Sequence, residues 1–179
     1  MSDSKKIRRV ALLCLYCIGN IACYRAGWNE KKQLRINEDF WTKVNGNFLD
    51  TATLDWCKLF CESDGKHHWS TIFSNKTTFR KGLFVALNLT EQEFKLGLQK
   101  IKDYRNKYLA HLDEPTTLFY PDTEIMLKSC MYLYHLLATE AHTRKSLTDA
   151  VTDAEGFYDD YFEETIKQIN HALILKKAN

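Results

Sequence analysis

Glycine and proline are scarce in this chain of 179 residues, which contains seven glycines and two prolines. These residues punctuate folds built from strands and tight turns. Their scarcity therefore disfavours an all-β or doubly wound design and favours long helices. The chain also lacks a strong charge of either sign, because its formal net charge is +2. A protein that coats DNA is usually far more basic, so any contact with nucleic acid has to come from a local patch.

The six cysteines do not follow the pattern of a disulfide scaffold. They fall inside apolar helical patterns rather than in loops, so we expect reduced core thiols in a reducing compartment. They are Cys14, Cys17, Cys23, Cys57, Cys61 and Cys130. Cys14 and Cys17 have the spacing of zinc ligands, but Cys57 and Cys61 fall in the middle of a predicted helix rather than in a turn. We therefore predict no metal ion and no cofactor.

The N-terminal region imitates a secretory signal, because four basic residues precede an apolar stretch from 10 to 24. These residues are Lys5, Lys6, Arg8 and Arg9. The apolar stretch is too short to span a bilayer and is interrupted by Gly19 and Asn20. We predict a buried first helix in a cytoplasmic protein that makes no contact with a membrane.

Apolar residues spaced by three and four predict five long helices and one short helix. The long helices cover about 5–27, 37–62, 90–112, 122–145 and 153–177, and the short helix covers about 77–88. We expect Asn37 to cap the second helix, and Thr90 with Glu93 to form a capping box. No repeat or linker interrupts the pattern. The sequence therefore predicts an all-α helical bundle, a single domain over 1–179.

The helix predicted at 90–112 carries two stripes. The first lies within about 80° of the helix surface and has five apolar members and one arginine: Phe94, Leu98, Ile101, Arg105, Tyr108 and Leu112. A guanidinium on such a face is costly to desolvate unless it is held for a ligand or paired with an internal carboxylate such as Asp55, and both alternatives stay open. The second stripe suits a phosphate backbone and a stacked base, or else is an ordinary solvated face; it comprises Lys100, Tyr104, Lys107 and His111.

The segment 103–113 resembles the signature of the HEPN superfamily, in which an arginine and a polar residue precede a histidine several positions later. Here the pattern is Arg105 and Asn106, four intervening residues, and His111. Further segments, at 20–28, 54–60, 67–69 and 79–80, resemble the abortive-infection Abi-U branch of that superfamily. The resemblance covers about residues 5–145.

The resemblance implies a metal-independent endoribonuclease that acts on RNA as a dimer, in the manner of a toxin or a phage-defence protein, with an antitoxin as a possible partner. His111 would exchange the proton of the attacking 2′-hydroxyl. Arg105 would stabilise the phosphate, and Asn106 would orient the phosphate or the imidazole. Lys100, Tyr104 and Lys107 would contact the RNA. The alternatives are a non-catalytic module that binds RNA, a nucleotide or a partner protein, and a purely structural bundle.

Helix geometry favours a homodimer for this chemistry. On a straight α-helix, Arg105 and His111 lie about 9 Å apart along the axis and about 120° apart around it. Unless the helix bends near Ala110, they do not reach one phosphate from the same chain. Two copies related by a two-fold axis resolve the difficulty, because the Arg of one copy can face the His of the other.

The remaining histidines and acidic residues have simpler interpretations. We expect surface or helix-capping roles for His67 and His68, since adjacent residues on a helix point apart. We expect His135 and His142 on a helix surface. The acidic residues between 153 and 164 are expected to be the solvated start of the last helix.

Overall fold

The computed structural model describes residues 3–110 and 120–178, with the side chains at positions 3, 177 and 178 left aside. Within these ranges the chain forms seven α-helices, a 3₁₀ turn at Trp69–Thr71 and a π-helical segment at Arg105–Ala110. The α-helices are α1 (Asp3–Ala26), α2 (Asp39–Phe60), α3 (Lys76–Leu87), α4 (Glu91–Tyr104), α5 (Thr123–Thr139), α6 (Ala141–Arg144) and α7 (Ala154–Ala178). The prediction of an all-α bundle is confirmed for the described part of the chain.

Helix α1 is the centre of the bundle and packs against α2, α5 and α7. Its buried side chains cover most of its circumference, with Val10, Cys14, Ile18 and Ile21 at 0% exposure, whereas Leu12 and Tyr16 are exposed. A wide apolar face of this kind is typical of a core helix. Although the stretch at 10–24 is short, the longer range Ser4–Ala26 is apolar enough to cross a membrane by length and composition. Of its apolar window, 61% is buried inside the fold, and a core helix of a bundle has this same pattern.

A chain of hydrogen bonds in the core joins α2 to α5. The indole Nε1 of Trp56 donates to the hydroxyl of Ser129 over 2.7 Å, and that hydroxyl donates to the carbonyl of Ile125 over 2.6 Å. Trp56 and Ser129 are both at 0% exposure, so the bonds satisfy polar groups that water does not reach. The ring of Trp56 also stacks on Phe60 at 5.1 Å, which extends the core toward the end of α2.

The capping box predicted for α4 is confirmed. The amide of Glu93 donates to the hydroxyl of Thr90 over 3.2 Å, and the amide of Thr90 donates to the Glu93 carboxylate over 2.7 Å. The cap predicted for α2 is wrong, because the helix starts at Asp39 and its N-cap residue is Glu38, without a side-chain bond to the cap. Asn37 therefore lies outside the helix.

The single helix predicted at 122–145 is two helices in the structure. Its start is as expected, since the Asp122 carboxylate accepts from the amides of Glu124 and Ile125. Glu140 then adopts an extended conformation (φ −70°, ψ 135°), which ends α5. The buried hydroxyl of Thr143 donates to the Glu140 carbonyl over 3.1 Å. Such side-chain bonds to the backbone compete with helical hydrogen bonds.

Candidate functional site

Helix α4 changes its winding at the first residue of the motif. Residues Arg105–Ala110 are π-helical, so their backbone hydrogen bonds skip five residues instead of four and the turn is wider. The segment packs against α2, and none of its six side chains is fully buried. The prediction of one α-helix to about 112 is therefore correct only as far as Tyr104. Short π-helical stretches are rare and frequently occur at functional sites.

Tyr104 anchors the start of this segment to α2. It is 8% exposed, its hydroxyl donates to the carboxylate of Asp50 over 2.7 Å, and its ring packs against Tyr108 at 5.3 Å. Burial, together with the bond to Asp50, raises the pKa of the phenol well above its usual value. A buried ring with a bonded hydroxyl does not present a face to a nucleobase. The expected stacking role of Tyr104 is therefore withdrawn, and its role is to position the segment.

Arg105 lies at the edge of the fold and its ion pair is long. Its Nη2 is 3.4 Å from a carboxylate oxygen of Glu62, and the two side chains are 24% and 43% exposed. The carboxylate of Asp55, which was one possible partner of Arg105, pairs instead with Lys58 at 2.8 Å. The Nε of Arg105 is buried and has no hydrogen-bond partner, although a guanidinium offers five N–H donors. The buried Nε is out of reach of an external ligand, but the side chain is 24% exposed, so the accessible part of the guanidinium can bind an acceptor.

Two thiols at the end of α2 lie close to this guanidinium. The S–H of Cys61 donates to the sulfur of Cys57 over 3.5 Å. This hydrogen bond lowers the pKa of the Cys57 thiol, burial opposes the effect, and the positive charge of Arg105 lowers the pKa further. The same hydrogen bond, with burial, raises the pKa of Cys61. Arg105 thus lies near the Glu62 carboxylate and near the Cys57 thiol, whose pKa its charge lowers.

The other predicted site residues differ in exposure. Lys100 and Lys107 are exposed and Asn106 is half-buried, so all three remain accessible to a ligand. His111 lies outside the described residues, immediately after the π-helical segment in sequence. Its role remains a prediction from the sequence.

His67 is a candidate that the sequence reasoning assigned to a surface or capping role. Its Nδ1 is buried without a hydrogen-bond partner. Burial lowers the pKa of its imidazole, the charge of Glu62 opposes the shift, and three cations lower the pKa further: Arg9, Lys58 and Lys66. Glu62 therefore acts on both His67 and Arg105. No signal in the sequence distinguished His67 from its neighbour His68.

His68 has the capping role that the sequence predicted. It is 6% exposed and precedes the 3₁₀ turn, where its Nδ1 accepts from the amide of Ser70 over 3.3 Å. The Ser70 hydroxyl lies 2.8 Å from the same nitrogen. Burial lowers the pKa of this imidazole, and the bond from the amide requires an unprotonated Nδ1.

A separate cleft of about 740 Å³ lies between α5 and the start of α7. Its lining carries both charges, for example Lys128, His135 and Asp159. None of the described motif residues lines it, so the surface at Arg105 and this cleft are distinct features. Among residues 3–110 and 120–178, no group of three or more His, Cys, Asp or Glu side chains is arranged to hold a metal ion.

Comparisons of the chain with protein-family models, with curated proteins and with solved structures found no match.

Proposed function

We propose that this protein is a cytoplasmic, metal-independent endoribonuclease of the toxin or phage-defence type, in which Arg105, Asn106 and His111 act on RNA. The observation that carries the proposal is the state of Arg105. It sits on a π-helical segment, its Nε is buried without a partner, and its ion pair with Glu62 is long and open. A guanidinium held in this way is ready to form charge-assisted bonds to a phosphate.

RNA supplies its own nucleophile for this reaction. The 2′-hydroxyl attacks the adjacent phosphorus, the bond to the 5′-oxygen breaks, and a cyclic phosphate remains on one product. His111 exchanges the proton of the nucleophile or of the leaving oxygen, because an imidazole titrates near neutral pH. Arg105 stabilises the charge that develops on the phosphate oxygens, and Asn106 orients the phosphate or the imidazole. Lys100 and Lys107 bind the flanking backbone as exposed cations.

The direct test measures cleavage of mixed RNAs by the purified protein in excess chelator. We expect cleavage by the wild type and a loss of at least about 100-fold in Arg105→Ala and His111→Ala, the range typical of general acid–base and electrostatic catalysis. Arg80→Ala and His135→Ala are matched controls, because both side chains are exposed and lie on other helices. Equal activity in all four variants would refute the assignment of the site.

We further propose that the active form is a homodimer with composite sites. The angle of about 120° between Arg105 and His111 was calculated for α-helical winding. It does not apply beyond Arg105, because the described segment is π-helical from that residue and turns less per residue. Mixing the two inactive variants tests the dimer without relying on that angle. In a mixed dimer, one of the two sites combines the intact Arg of one copy with the intact His of the other.

We expect the equimolar mixture to recover about one quarter of wild-type activity, since about half of the dimers are mixed and each has one intact site. Size-exclusion chromatography with light scattering gives the oligomeric state in the same buffer. A monomer with full cleavage activity would contradict this part of the proposal, and so would a mixture that stays inactive after exchange of subunits.

Glu62 supports a second candidate, a module that binds a ligand without cleaving it. Its carboxylate lies where an anionic ligand of Arg105 would bind, so a ligand has to displace it, and displacement alone constitutes a binding function. The same RNAs, assayed by filter binding, distinguish the two candidates. Retention of intact RNA that is lost in Arg105→Ala but unchanged in His111→Ala supports the module.

A further inference from the structure

Five of the six described cysteines form two clusters with different access to solvent, and Cys23 lies apart, where its sulfur accepts a hydrogen bond from the Thr165 hydroxyl. Cys14, Cys17 and Cys130 are all at 0% exposure in the core between α1 and α5, and electrostatic contacts connect their thiols. Cys57 and Cys61 lie at the end of α2, where Cys57 is buried and Cys61 is partly exposed. All of these thiols are reduced. Of the two clusters, a small reagent in solution therefore reaches the second one first.

We propose that Cys57 and Cys61 form a modification site, a dithiol that a hydroperoxide oxidises to a disulfide between them. Their sulfurs are already 3.5 Å apart and joined by a hydrogen bond. Residues four apart on a helix have Cα atoms about 6.2 Å apart, within the range of about 4.4–6.8 Å found in disulfides. This inference does not depend on the proposed ribonuclease activity.

The last turn of α2 has to move for the bond to close. Side chains four apart on a helix have Cβ atoms about 5–6 Å apart, whereas disulfides need about 3.8 Å. Cys61 already lies beyond the last residue of α2, and the chain after it turns, with the amide of Gly65 donating to the Glu62 carbonyl over 2.7 Å. Cys61 is therefore the end of the pair that can shift while the body of the helix stays fixed.

The local charges favour a reactive pair. One thiolate shared by the two sulfurs is stabilised by the S–H···S bond and by the nearby guanidinium of Arg105, and the thiolate is the form that attacks oxidants. Its sulfur attacks one peroxide oxygen, the O–O bond breaks, and a sulfenic acid and hydroxide form. The second thiol then attacks the sulfenic sulfur. The S–S bond forms, and the sulfenic hydroxyl leaves as water together with the proton of the second thiol. The proton that the first thiol lost on ionising neutralises the hydroxide.

Formation of the disulfide between Cys57 and Cys61 affects the candidate site around Arg105. Glu62 follows Cys61 in the chain and is the carboxylate that pairs with Arg105. A disulfide cannot ionise, so closure also removes the Cys57 thiol whose pKa Arg105 lowers. Oxidation therefore leaves Arg105 with weaker local pairing.

Peptide mapping tests the proposal. The reduced full-length protein is treated with a small excess of hydrogen peroxide, its remaining thiols are alkylated under denaturing conditions, and it is digested with trypsin. Cleavage after Lys58 separates the two cysteines, so the disulfide links the peptide 44–58 to the peptide 59–66. We expect this linked pair as the first oxidised product, and its separation into two peptides on reduction.

Two variants test the sulfenic acid intermediate and the role of Arg105. Cys61→Ser should stop oxidation at a sulfenic acid on Cys57, which a cyclic dione traps. Arg105→Gln should slow formation of the linked pair several-fold near neutral pH, because the thiolate loses its cation. A first disulfide among Cys14, Cys17 and Cys130 would overturn the proposal. The proposal would also be overturned if the two peptides of the native wild-type protein stayed unlinked while the urea-unfolded chain formed the linked pair under the same conditions.

Discussion

Replacing Arg105 by methionine distinguishes a residue held for a ligand from a residue held for stability. Methionine keeps a long, flexible stem of similar packing and removes the guanidinium. The lost ion pair is 3.4 Å long and its side chains are 24% and 43% exposed, and a pair this open contributes about 0–1 kcal/mol. The variant also removes the buried, unpartnered Nε, a kind of group that costs about 1–3 kcal/mol.

Removing the unpartnered Nε stabilises the fold by more than losing the ion pair destabilises it. We expect Arg105→Met to increase the free energy of unfolding by about 1 kcal/mol, which corresponds to a Tm higher by about 2–4 °C for a domain of this size. The measurement is urea unfolding followed by far-UV circular dichroism, with a thermal scan on the same samples. RNA cleavage by the same variant should be lost. A more stable protein without activity is the pattern expected of a functional residue.

Arg25→Met is the matched control, because Arg25 is an arginine with a structural role. Its guanidinium donates to the Thr123 hydroxyl over 3.0 and 3.2 Å and to the Glu124 carboxylate over 2.8 Å, which joins α1 to α5. Since the side chains of Arg25 and Glu124 are 27% and 53% exposed, we discount the usual value and expect a loss of about 1–2 kcal/mol. The two variants should therefore shift stability in opposite directions.

The opposite outcome for Arg105 would refute the reasoning. A loss of about 3–5 kcal/mol in Arg105→Met is what a broken internal ion pair produces. Such a loss would show that Arg105 has a structural role, and Arg105 would then no longer support the proposed RNA site.

Three further predictions follow from the same contacts. Ser129→Ala should lower the free energy of unfolding by about 1–3 kcal/mol, because the buried indole of Trp56 loses its acceptor; in urea titrations, adding Trp56→Phe should cost less than the two single changes together. Burial lowers the pKa of His68, so the unfolded chain takes up the proton at a higher pH than the folded chain. The contribution of His68 to the free energy of unfolding is therefore complete above about pH 6.5 and is lost as the pH falls through the lower, folded pKa. In His68→Asn, which keeps a capping side chain that does not titrate, the free energy of unfolding should depend less on pH across this range, and the same pH dependence as in the wild type would contradict the prediction. Glu62→Gln removes the carboxylate that competes for Arg105, so RNA should bind more tightly in a filter assay at fixed salt, and equal affinity would show that Arg105 does not contact the phosphate.

The starts of two helices were predictable because neighbouring residues encode them, although the cap expected at Asn37 was wrong. The capping box at Thr90 and the cap at Asp122 depend on side chains that reach only two or three residues along the chain. The break at Glu140 is accompanied by a hydrogen bond from the Thr143 hydroxyl, which the rest of the fold buries. Spacing of apolar residues carries no information about that bond, so the sequence predicted one continuous helix.

Part of the candidate site was likewise predictable from the sequence, and part depends on contacts that only the fold creates. An arginine on an apolar stripe identified Arg105, but a helical wheel of about 100° per residue applies only to α-helical winding. The winding changes at Arg105 itself, so positions beyond it are displaced from the wheel. The partners Glu62 and Asp50 come from α2 and the turn after it, across the bundle. Only the fold shows that the first leaves Arg105 half-open and that the second buries Tyr104.

The π-helical segment also bears on what the site is for. Its wider winding gives up regular α-helical hydrogen bonding, and none of the six side chains from Arg105 to Ala110 is fully buried in return. The guanidinium it carries has an unpaired Nε and a long ion pair with Glu62, so Arg105 adds little to the stability of the fold. Its side chain is 24% exposed at the point where the winding changes. This combination of low structural value and open access is what the proposed phosphate-binding role of Arg105 depends on.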